Sequence, residues 1–406
     1  MNEIVLPVDV AEIIGRLNKH GYEAYIVGGC VRDSILGREP QDWDVTTSAK
    51  PEELKLLFTH TVDTGIQHGT VTVVLNRMNY EVTTYRVDGE YQDCRRPNCV
   101  AFTANLKEDL LRRDFTMNAI AYHPVEGFQD PFDGRSDIKQ RIIRGVGEAS
   151  VRFEEDALRM LRCVRFSAQL GFDIEGKTYE ALCNHIDLIC CISVERIREE
   201  MTKLWISPVV EKIPLLWESG LLGRIDGMLA ERLANQRERR INQLRDCPKD
   251  SIFCWTLVLQ DYTQKEAEGL LKRLKFDNAS MREILLLLKY ISIDLPVSPY
   301  EIRKLASKTG KAAIETLLVL QQILRPRSMH TETRHIWRNI LENGDCLTLK
   351  ELAMDGQDLM NMGISPGKQM GEWLSWILDK VHEEPKLNEK ALLMHFVQGE
   401  MEKAKC

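Results

Sequence analysis

Two carboxylates one residue apart, in Asp42-Trp43-Asp44, are the first side chains here with chemistry to offer. In a strand, side chains alternate faces, so the pair projects to one side with Trp43 opposite. Carboxylates ~7 Å apart along a strand can share hard divalent cations such as Mg²⁺. Upstream stands Gly28-Gly29-Cys30-Val31-Arg32-Asp33, followed by Leu36-Gly37. Paired glycines at a strand end let backbone N–H groups approach a phosphate, and a short helix after them offers its N-terminus. Arg32 adds a fixed positive charge. Taken singly, an Asp-x-Asp or a Gly-Gly is usually a surface turn. In this order and this close together they are specific.

Three further constellations have both an ordinary and a chemical reading. Glu81 sits in the β-branched run Tyr80-Glu81-Val82-Thr83-Thr84-Tyr85-Arg86, where a charge needs a partner. It is either a solvent-facing edge position or a third carboxylate beside the Asp pair, completing a two-metal site. Arg112-Arg113-Asp114-Phe115-Thr116-Met117-Asn118-Ala119 is a charged turn entering a buried segment, or a donor and acceptor set for a ribose hydroxyl. Glu155-Asp156-Ala157-Leu158-Arg159, continuing to Arg162 and Arg165, falls on a predicted helix buried through Ala157, Leu161, Val164 and Ala168. Asp156 and Arg159 are i,i+3 neighbours, and Glu155 can brace Arg159 at i,i+4. A solvated, salt-bridged face explains such a pattern on most helices. Arginines stepping by three drift ~60° per step, so Arg165 cannot point where Asp156 points. As a site, the stripe would divide into Asp156 and Arg159 for a base, and Arg162 and Arg165 for phosphates.

The elements that must position these residues read as α+β. Asp9 to His20 predicts a helix stopped by Gly21, and Tyr22 to Val27 a strand ending at the glycine pair. Cys30 to Leu36 predicts a short helix, Trp43 to Thr46 an extended segment, and Pro51 to Phe58 another helix. Thr70 to Leu75 and Tyr80 to Arg86 predict a hairpin joined by Asn76 to Asn79. This is a small mixed sheet with helices, not a doubly wound βαβα repeat. From Phe153 onward helical periodicity dominates, punctuated by prolines, with no fixed repeat.

At 406 residues the chain is long enough for several domains, and 44% hydrophobic with 28% charged residues describes a core-forming protein. No apolar run reaches the ~18 residues of a membrane span, and the start lacks a signal-peptide pattern. Eleven scattered cysteines without a Cys-x-x-Cys pair disfavour zinc or a disulfide framework and fit reduced thiols in a cytoplasmic protein. A net charge of −7 argues superficially against a polyanionic partner. Residues 272–340, however, hold 13 basic against 6 acidic side chains, including Lys272, Arg273, Lys275, Arg303, Lys304, Lys308 and Lys311. That local excess could counter the charge of a nucleic acid.

Together these ordered motifs closely resemble the class II tRNA nucleotidyltransferases, the bacterial and eukaryotic CCA-adding enzymes of the polymerase-β superfamily. Asp130-Pro131-Phe132-Asp133-Gly134, Glu195-Arg196-Ile197-Arg198-Glu199-Glu200 and Gly363-Ile364-Ser365-Pro366-Gly367 extend the likeness along the whole chain. The resemblance implies a catalytic head at 1–145, a helical neck at 146–215, a body at 216–300 and a tRNA-binding tail at 301–406. It implies Asp42 and Asp44 as metal ligands for two Mg²⁺ ions, with Glu81 as a third acidic residue. Gly28, Gly29 and Arg32 match the phosphate loop, and Arg113 and Asp114 match ribose recognition. Asp156 and Arg159 match the base-selecting pair, and Arg162 and Arg165 match nucleotide-contacting arginines.

The implied selection is chemically sound. Cytosine and adenine both place an amino donor beside a ring-nitrogen acceptor, whereas uracil and guanine place a carbonyl beside an N–H. A carboxylate beside a guanidinium complements the first two and leaves unsatisfied contacts with the others. CTP and ATP would thus be chosen without a nucleic-acid template, and the tRNA 3′-hydroxyl would attack the α-phosphate in line. The segment from Val87 to Asn105 looks like the complete flexible loop that CC-only relatives lack. A-adding tRNA nucleotidyltransferases and bacterial poly(A) polymerases share the head and stand as alternatives. A non-catalytic RNA-binding protein is a remoter one, and a small-molecule transferase would not need the long helical region. The expected partner is the 3′ end and acceptor/T-arm side of tRNA, with no membrane and no obligatory protein partner.

Overall fold

The computed structural model describes residues 3–89, 100–325 and 330–403, and the chain divides into two compact units, Met1–Arg245 and Asp246–Cys406. The boundary falls inside the segment 216–300 expected as the body.

In the first unit, α1 (Val8–Lys19) buries Val10, Ile13, Ile14 and Leu17, the 3.6-residue stripe that the sequence carries, and ends before Gly21 at φ 86°. There follow β1 (Ala24–Val27), α2 (Gly29–Ile35), β2 (Val45–Thr47), α3 (Pro51–Leu57), β3 (Thr61–Gly65), β4 (Thr70–Leu75) and β5 (Met78–Thr84). After them come β6 (Arg86–Asp88), β7 (Val100–Phe102), α4 (Leu106–Leu111), β8 (Ala121–His123), β9 (Gly127–Gln129) and α5 (Gly134–Gln140). Seven strands form one sheet in the order β3-β4-β5-β2-β1-β8-β9. β2 and β5 run parallel and the other neighbours antiparallel, so the sheet is mixed, as expected.

The hairpin is tighter than the sequence suggested. Leu75 pairs with Met78, leaving a two-residue loop in which Asn76 and Arg77 have φ of 50° and 66°. Positive φ at both loop residues gives the twist that matches two right-twisted strands. Three strands lacked a clear sequence signal: β3, whose middle residues are exposed, and the three-residue β8 and β9. The expected loop from Val87 to Asn105 is bounded differently, because β6 and β7 pair at its two ends. Its centre, residues 90–99, lies outside the described residues.

After α5 come β10 (Ile142–Ile143), α6 (Ala149–Glu155) and α7 (Leu158–Leu170), then β11 (Asp173–Ile174), α8 (Gly176–Asn184) and α9 (Val194–Trp205). β10 and β11 pair in parallel, a short exception to the helical continuation. Gly134, at the start of α5, admits no side chain. A Cβ there would lie 2.2 Å from the carbonyl oxygen of Thr116, which is why the Asp133-Gly134 step closes against the Arg112–Ala119 motif.

The second unit is helical throughout its described residues, and its helix starts are written in the sequence. Asp250 and Asp277 each accept two backbone N–H bonds, and Thr263 with Glu266 forms a capping box. Cys346, Met354, Leu359, Ile377, Val381 and Leu393 are among its buried core. Not all of the basic excess in this unit faces water. Arg303 is buried against Asp345 at 2.7 Å, Lys304 pairs with Asp379, and Lys311 pairs with Glu351. Charge counted along the sequence therefore overstates what this surface presents.

Candidate active site

The phosphate-loop candidates stand where β1 gives way to α2. Gly28 has φ 82°, and a Cβ on it would come within 3.2 Å of Arg113 Nη1. Glycine here serves both the backbone turn and the close approach of a guanidinium. Arg32 donates through Nε and Nη2 to the Asp33 carboxylate at 2.9 Å each, and through Nη1 to Asn118 Oδ1 at 2.7 Å. Asn118 in turn donates to Asp114 Oδ1 at 3.0 Å, and Arg162 donates to Asp114 Oδ2 from Nε and Nη2 at 2.8 and 2.6 Å. One polar chain thus ties the loop, the Arg112–Ala119 motif and α7 together.

The Asp114 carboxylate has no acceptor position to spare, since Phe115 N also donates to Oδ1 at 2.8 Å. Burial opposes its charge, but Arg162 and the Asn118 hydrogen bond outweigh that and hold the carboxyl well below the usual range. The folded state therefore binds this proton less tightly than the unfolded state does. Its stabilisation is complete above the ordinary carboxylate pKa of ~3.9 and is lost as pH falls through the depressed folded value. The stability gap between wild type and Asp114→Asn should stay level from about pH 8 to 5 and narrow below about pH 4. Urea melts at several pH values test this, and a gap constant down to pH 3 would contradict it.

Asp109, absent from the sequence candidates, anchors Arg112 and Arg113. It is fully buried and accepts from Arg112 at 2.6 Å, Arg113 at 3.3 Å and Thr46 at 3.1 Å. Its i+3 and i+4 spacing to Arg112 and Arg113 was the available signal.

Asp42-Trp43-Asp44 is irregular chain leading into β2, not strand as expected, because the ladder starts at Val45. The predicted division of faces nevertheless holds for Trp43 and Asp44, which line separate cavities. The parallel register Val45↔Val82 sets Asp44 beside Glu81 on the next strand. Burial pushes the Asp44 carboxyl up, Arg113 works against this, and Glu81 and Asp42 add to it. Among the described residues no group of three His, Cys, Asp or Glu side chains converges as a ready ligand set. Mg²⁺ commonly takes one or two carboxylates and completes its shell with waters and substrate phosphates, so the Asp pair suits it. The mutual repulsion of Asp42, Asp44 and Glu81 is what such a cation would relieve.

The base-selecting motif departs from the predicted single helix. α6 ends at Glu155, Asp156 is extended at φ −142° and ψ 100°, and α7 restarts at Leu158. Asp156 Oδ1 accepts the Leu158 N–H at 3.1 Å, so its carboxylate helps to start α7. Arg159 still meets Glu155, at 2.6 Å, and also donates to the carbonyls of Arg152 and Arg112. The expected buried face, Ala157, Leu161, Val164 and Ala168, is buried. Arg196 on α9, quoted within its motif but given no role from sequence, donates to both Asp156 oxygens at 3.2 and 2.8 Å. Glu200, one turn on, holds Arg165 at 2.6 Å.

These residues share one cavity of about 420 Å³. Gly28, Gly29, Arg32, Arg113, Asp114, Asp156, Arg159, Arg162 and Arg165 all line it, as do Asp44, Arg112, Asn118, Phe166, Gln169 and Arg196. A smaller cavity of about 190 Å³ shares Asp44, Arg112 and Arg113 with it and contains Glu81. Asp42, exposed, lies outside the lining described for both. Seven arginines (32, 112, 113, 159, 162, 165 and 196) face three carboxylates in the larger cavity. Five of these arginines also pair with Asp33, Asp109, Glu155 or Glu200 outside that lining, so the cavity presents a wall of braced guanidinium donors, a surface fitted to a polyanion.

Comparison with known proteins agrees with this chemistry. The family profile described as poly A polymerase head domain matches residues 24–144, and that described as probable RNA and SrmB-binding site of polymerase A matches 171–225. The profile described as putative tRNA nucleotidyltransferase domain 2 matches 248–397. The CCA-adding enzyme of Anoxybacillus flavithermus is 39% identical over 402 residues, covering 97% of this chain and 94% of its own. That of Geobacillus stearothermophilus is 38% identical over 375 residues, covering 91% and 90%. Among solved structures, the Bacillus stearothermophilus CCA-adding enzyme in complex with CTP superposes with a TM-score of 0.82 at 33% identity, covering 98% of each chain. Identity of this degree along nearly the whole length places the chain in the family of CCA-adding enzymes.

Proposed function

We propose that this protein adds C, C and A to the 3′ end of tRNA, using CTP and ATP without a nucleic-acid template. The observation that carries the reading is the cavity in which seven arginines and three carboxylates converge from the glycine loop, the Arg112–Ala119 motif, α7 and α9. A nucleoside triphosphate offers acceptor oxygens to these guanidinium groups, and full-length relatives bearing the name CCA-adding enzyme support the same substrate class.

In this reading Asp42 and Asp44 hold two Mg²⁺ ions, and Glu81 adds to the negative field. Ligand hardness and cellular supply favour Mg²⁺, and Mn²⁺ shares the ligand preference. When bound, the metal supplies Lewis-acid activation of the attacking 3′-hydroxyl and charge neutralisation on the triphosphate. The backbone of Gly28 and Gly29 and the Arg32 side chain receive the phosphates. Arg113 lies against this loop and lines the cavity, where its guanidinium can meet the nucleotide. For Asp114 to take a ribose hydroxyl, Arg162 must release one of its two bonds to that carboxylate. Asp156 accepts from the base amino group and Arg159 donates to the ring nitrogen. Arg196 keeps the Asp156 oxygens turned to the cavity.

The division into head (1–145), neck (146–215), body (216–300) and tail (301–406) belongs to the same proposal, with the tail on the acceptor/T-arm side of tRNA. So does a cytoplasmic location. No helix among the described residues is long and apolar enough to cross a membrane.

The test gives purified protein and Mg²⁺ either tRNA ending at the discriminator base or tRNA ending in CC, with labelled CTP or ATP. C should enter the first and A the second. A entering the second with no C entering the first would make the protein an A-adding enzyme. Long A tails on arbitrary RNA would make it a poly(A) polymerase, the activity named in two of the matching profiles.

A further inference from the structure

Three of the cavity's arginines gather about one aromatic ring. The guanidinium carbons of Arg165, Arg32 and Arg162 lie 3.8, 5.1 and 5.3 Å from the centroid of Phe166. Phe166 is 5% exposed and lines the cavity, and fully buried Phe115 meets it edge-on, with centroids 6.0 Å apart and planes at 86°. The three cations reach the ring from different anchors. Arg32 stands on α2 with Asp33, whereas Arg162 and Arg165 stand on α7 with Asp114 and Glu200 respectively. The chain through Asn118 and Asp114 ties Arg32 to Arg162. Among the contacts found for the described residues, the Phe166 ring is the surface that all three share.

Like charges this close repel, and Asp33, Asp114 and Glu200 each offset that repulsion from the side of one arginine. The electron-rich face of a benzene ring offsets part of that repulsion. Its apolar bulk also keeps water from between the charges, so each acts more strongly on an incoming phosphate. An aliphatic side chain of similar size would fill the same space without attracting the cations.

We propose that Phe166 is a positioning residue for the nucleotide's triphosphate, its ring setting the spacing of Arg32, Arg162 and Arg165. The inference rests on the reading that this cavity binds a nucleoside triphosphate. It assigns to Phe166 the phosphate end of that ligand and not the base.

The experiment compares Phe166→Leu, Phe166→Met and Phe166→Tyr with wild type, using calorimetric titration with CTP, ATP and inorganic tripolyphosphate beside steady-state kinetics. Leu and Met should weaken all three ligands by a common factor of about 5 to 10. KM for CTP and ATP should rise in parallel, with kcat within about twofold and KM for tRNA unchanged. Tyr keeps the ring face and should restore wild-type binding and kinetics, whereas Leu and Met, which lose buried volume beside Phe115, should melt a few degrees lower with unfolding still cooperative. CTP affinity falling while tripolyphosphate affinity stays level would overturn the proposal. So would a Leu variant that binds all three ligands like wild type, or a Tyr variant as impaired as Leu. Wild-type protein that binds neither CTP nor tripolyphosphate would instead sink the reading of the cavity itself.

Discussion

Asp44→Ala and Asp42→Ala should each abolish nucleotidyl transfer while leaving tRNA affinity within about twofold of wild type. The expected loss is ~10³-fold or more in kcat, because metal-assisted charge stabilisation is worth several kcal/mol and each 1.36 kcal/mol is tenfold. Asp44 lines both cavities, feels Glu81 and Asp42 as like charges, and has Arg113 as its opposing cation. Removing it leaves Arg113 without that counter-charge and should raise affinity for free CTP without metal, a change no misfolded protein would show. Gel-shift titration with tRNA, run beside the transfer assay, separates the two effects. Loss of tRNA binding in parallel with activity would count against a metal role. Glu81→Gln should cost less, since Glu81 is exposed on β5 and acts on Asp44 through the field.

Asp156→Ala should lower kcat/KM for CTP and ATP by about 10- to 100-fold, the scale of one well-formed two-point base contact. Use of UTP and GTP should fall far less, since both carry a carbonyl at the 4- or 6-position where cytosine and adenine carry the amino group that Asp156 is proposed to read. Discrimination therefore narrows rather than activity falling evenly. Arg196→Ala should move in the same direction by a smaller factor. Arg196 donates to both Asp156 oxygens, and without it the carboxylate keeps only its bond from the Leu158 N–H. Single-nucleotide incorporation with each of the four triphosphates measures the ratio directly. Equal loss with all four would show that Asp156 supports the start of α7 and does not read the base.

The residue types and their order along the chain, through the family they resemble, were enough to point to nucleotidyl transfer. The glycine pair, the Asp pair, the Arg-Arg-Asp motif and the Asp156–Arg165 stripe, each ordinary alone, stood out in combination because the proposed phosphate, metal and base contacts would demand such side chains at short spacings. The helix starts at Asp250, Thr263 and Asp277, which the sequence reading did not single out, are also local, since each residue satisfies orphan N–H groups within one turn. What sequence could not supply was set by contacts between distant segments. The strand β3 is mostly exposed and β8 and β9 are three residues long, so none carries a periodic pattern, and pairing alone makes them strands.

The break at Asp156 was hidden because the buried face of α7 keeps helical spacing through the interruption. Asp156 is turned outward by its bonds to the Leu158 N–H and to Arg196, forty residues away. Asp109, Glu200 and Phe166 read locally as an ordinary acid, an ordinary acid and a core aromatic. They matter because burial removes the water that would otherwise neutralise or separate the arginines beside them. By itself the sequence determined which residues to propose for contact with a nucleotide, and the structure gathers most of them in one cavity. Only the tertiary structure decided which carboxylates are already occupied by arginines and which charges stand open, because that depends on long-range neighbours and a local dielectric.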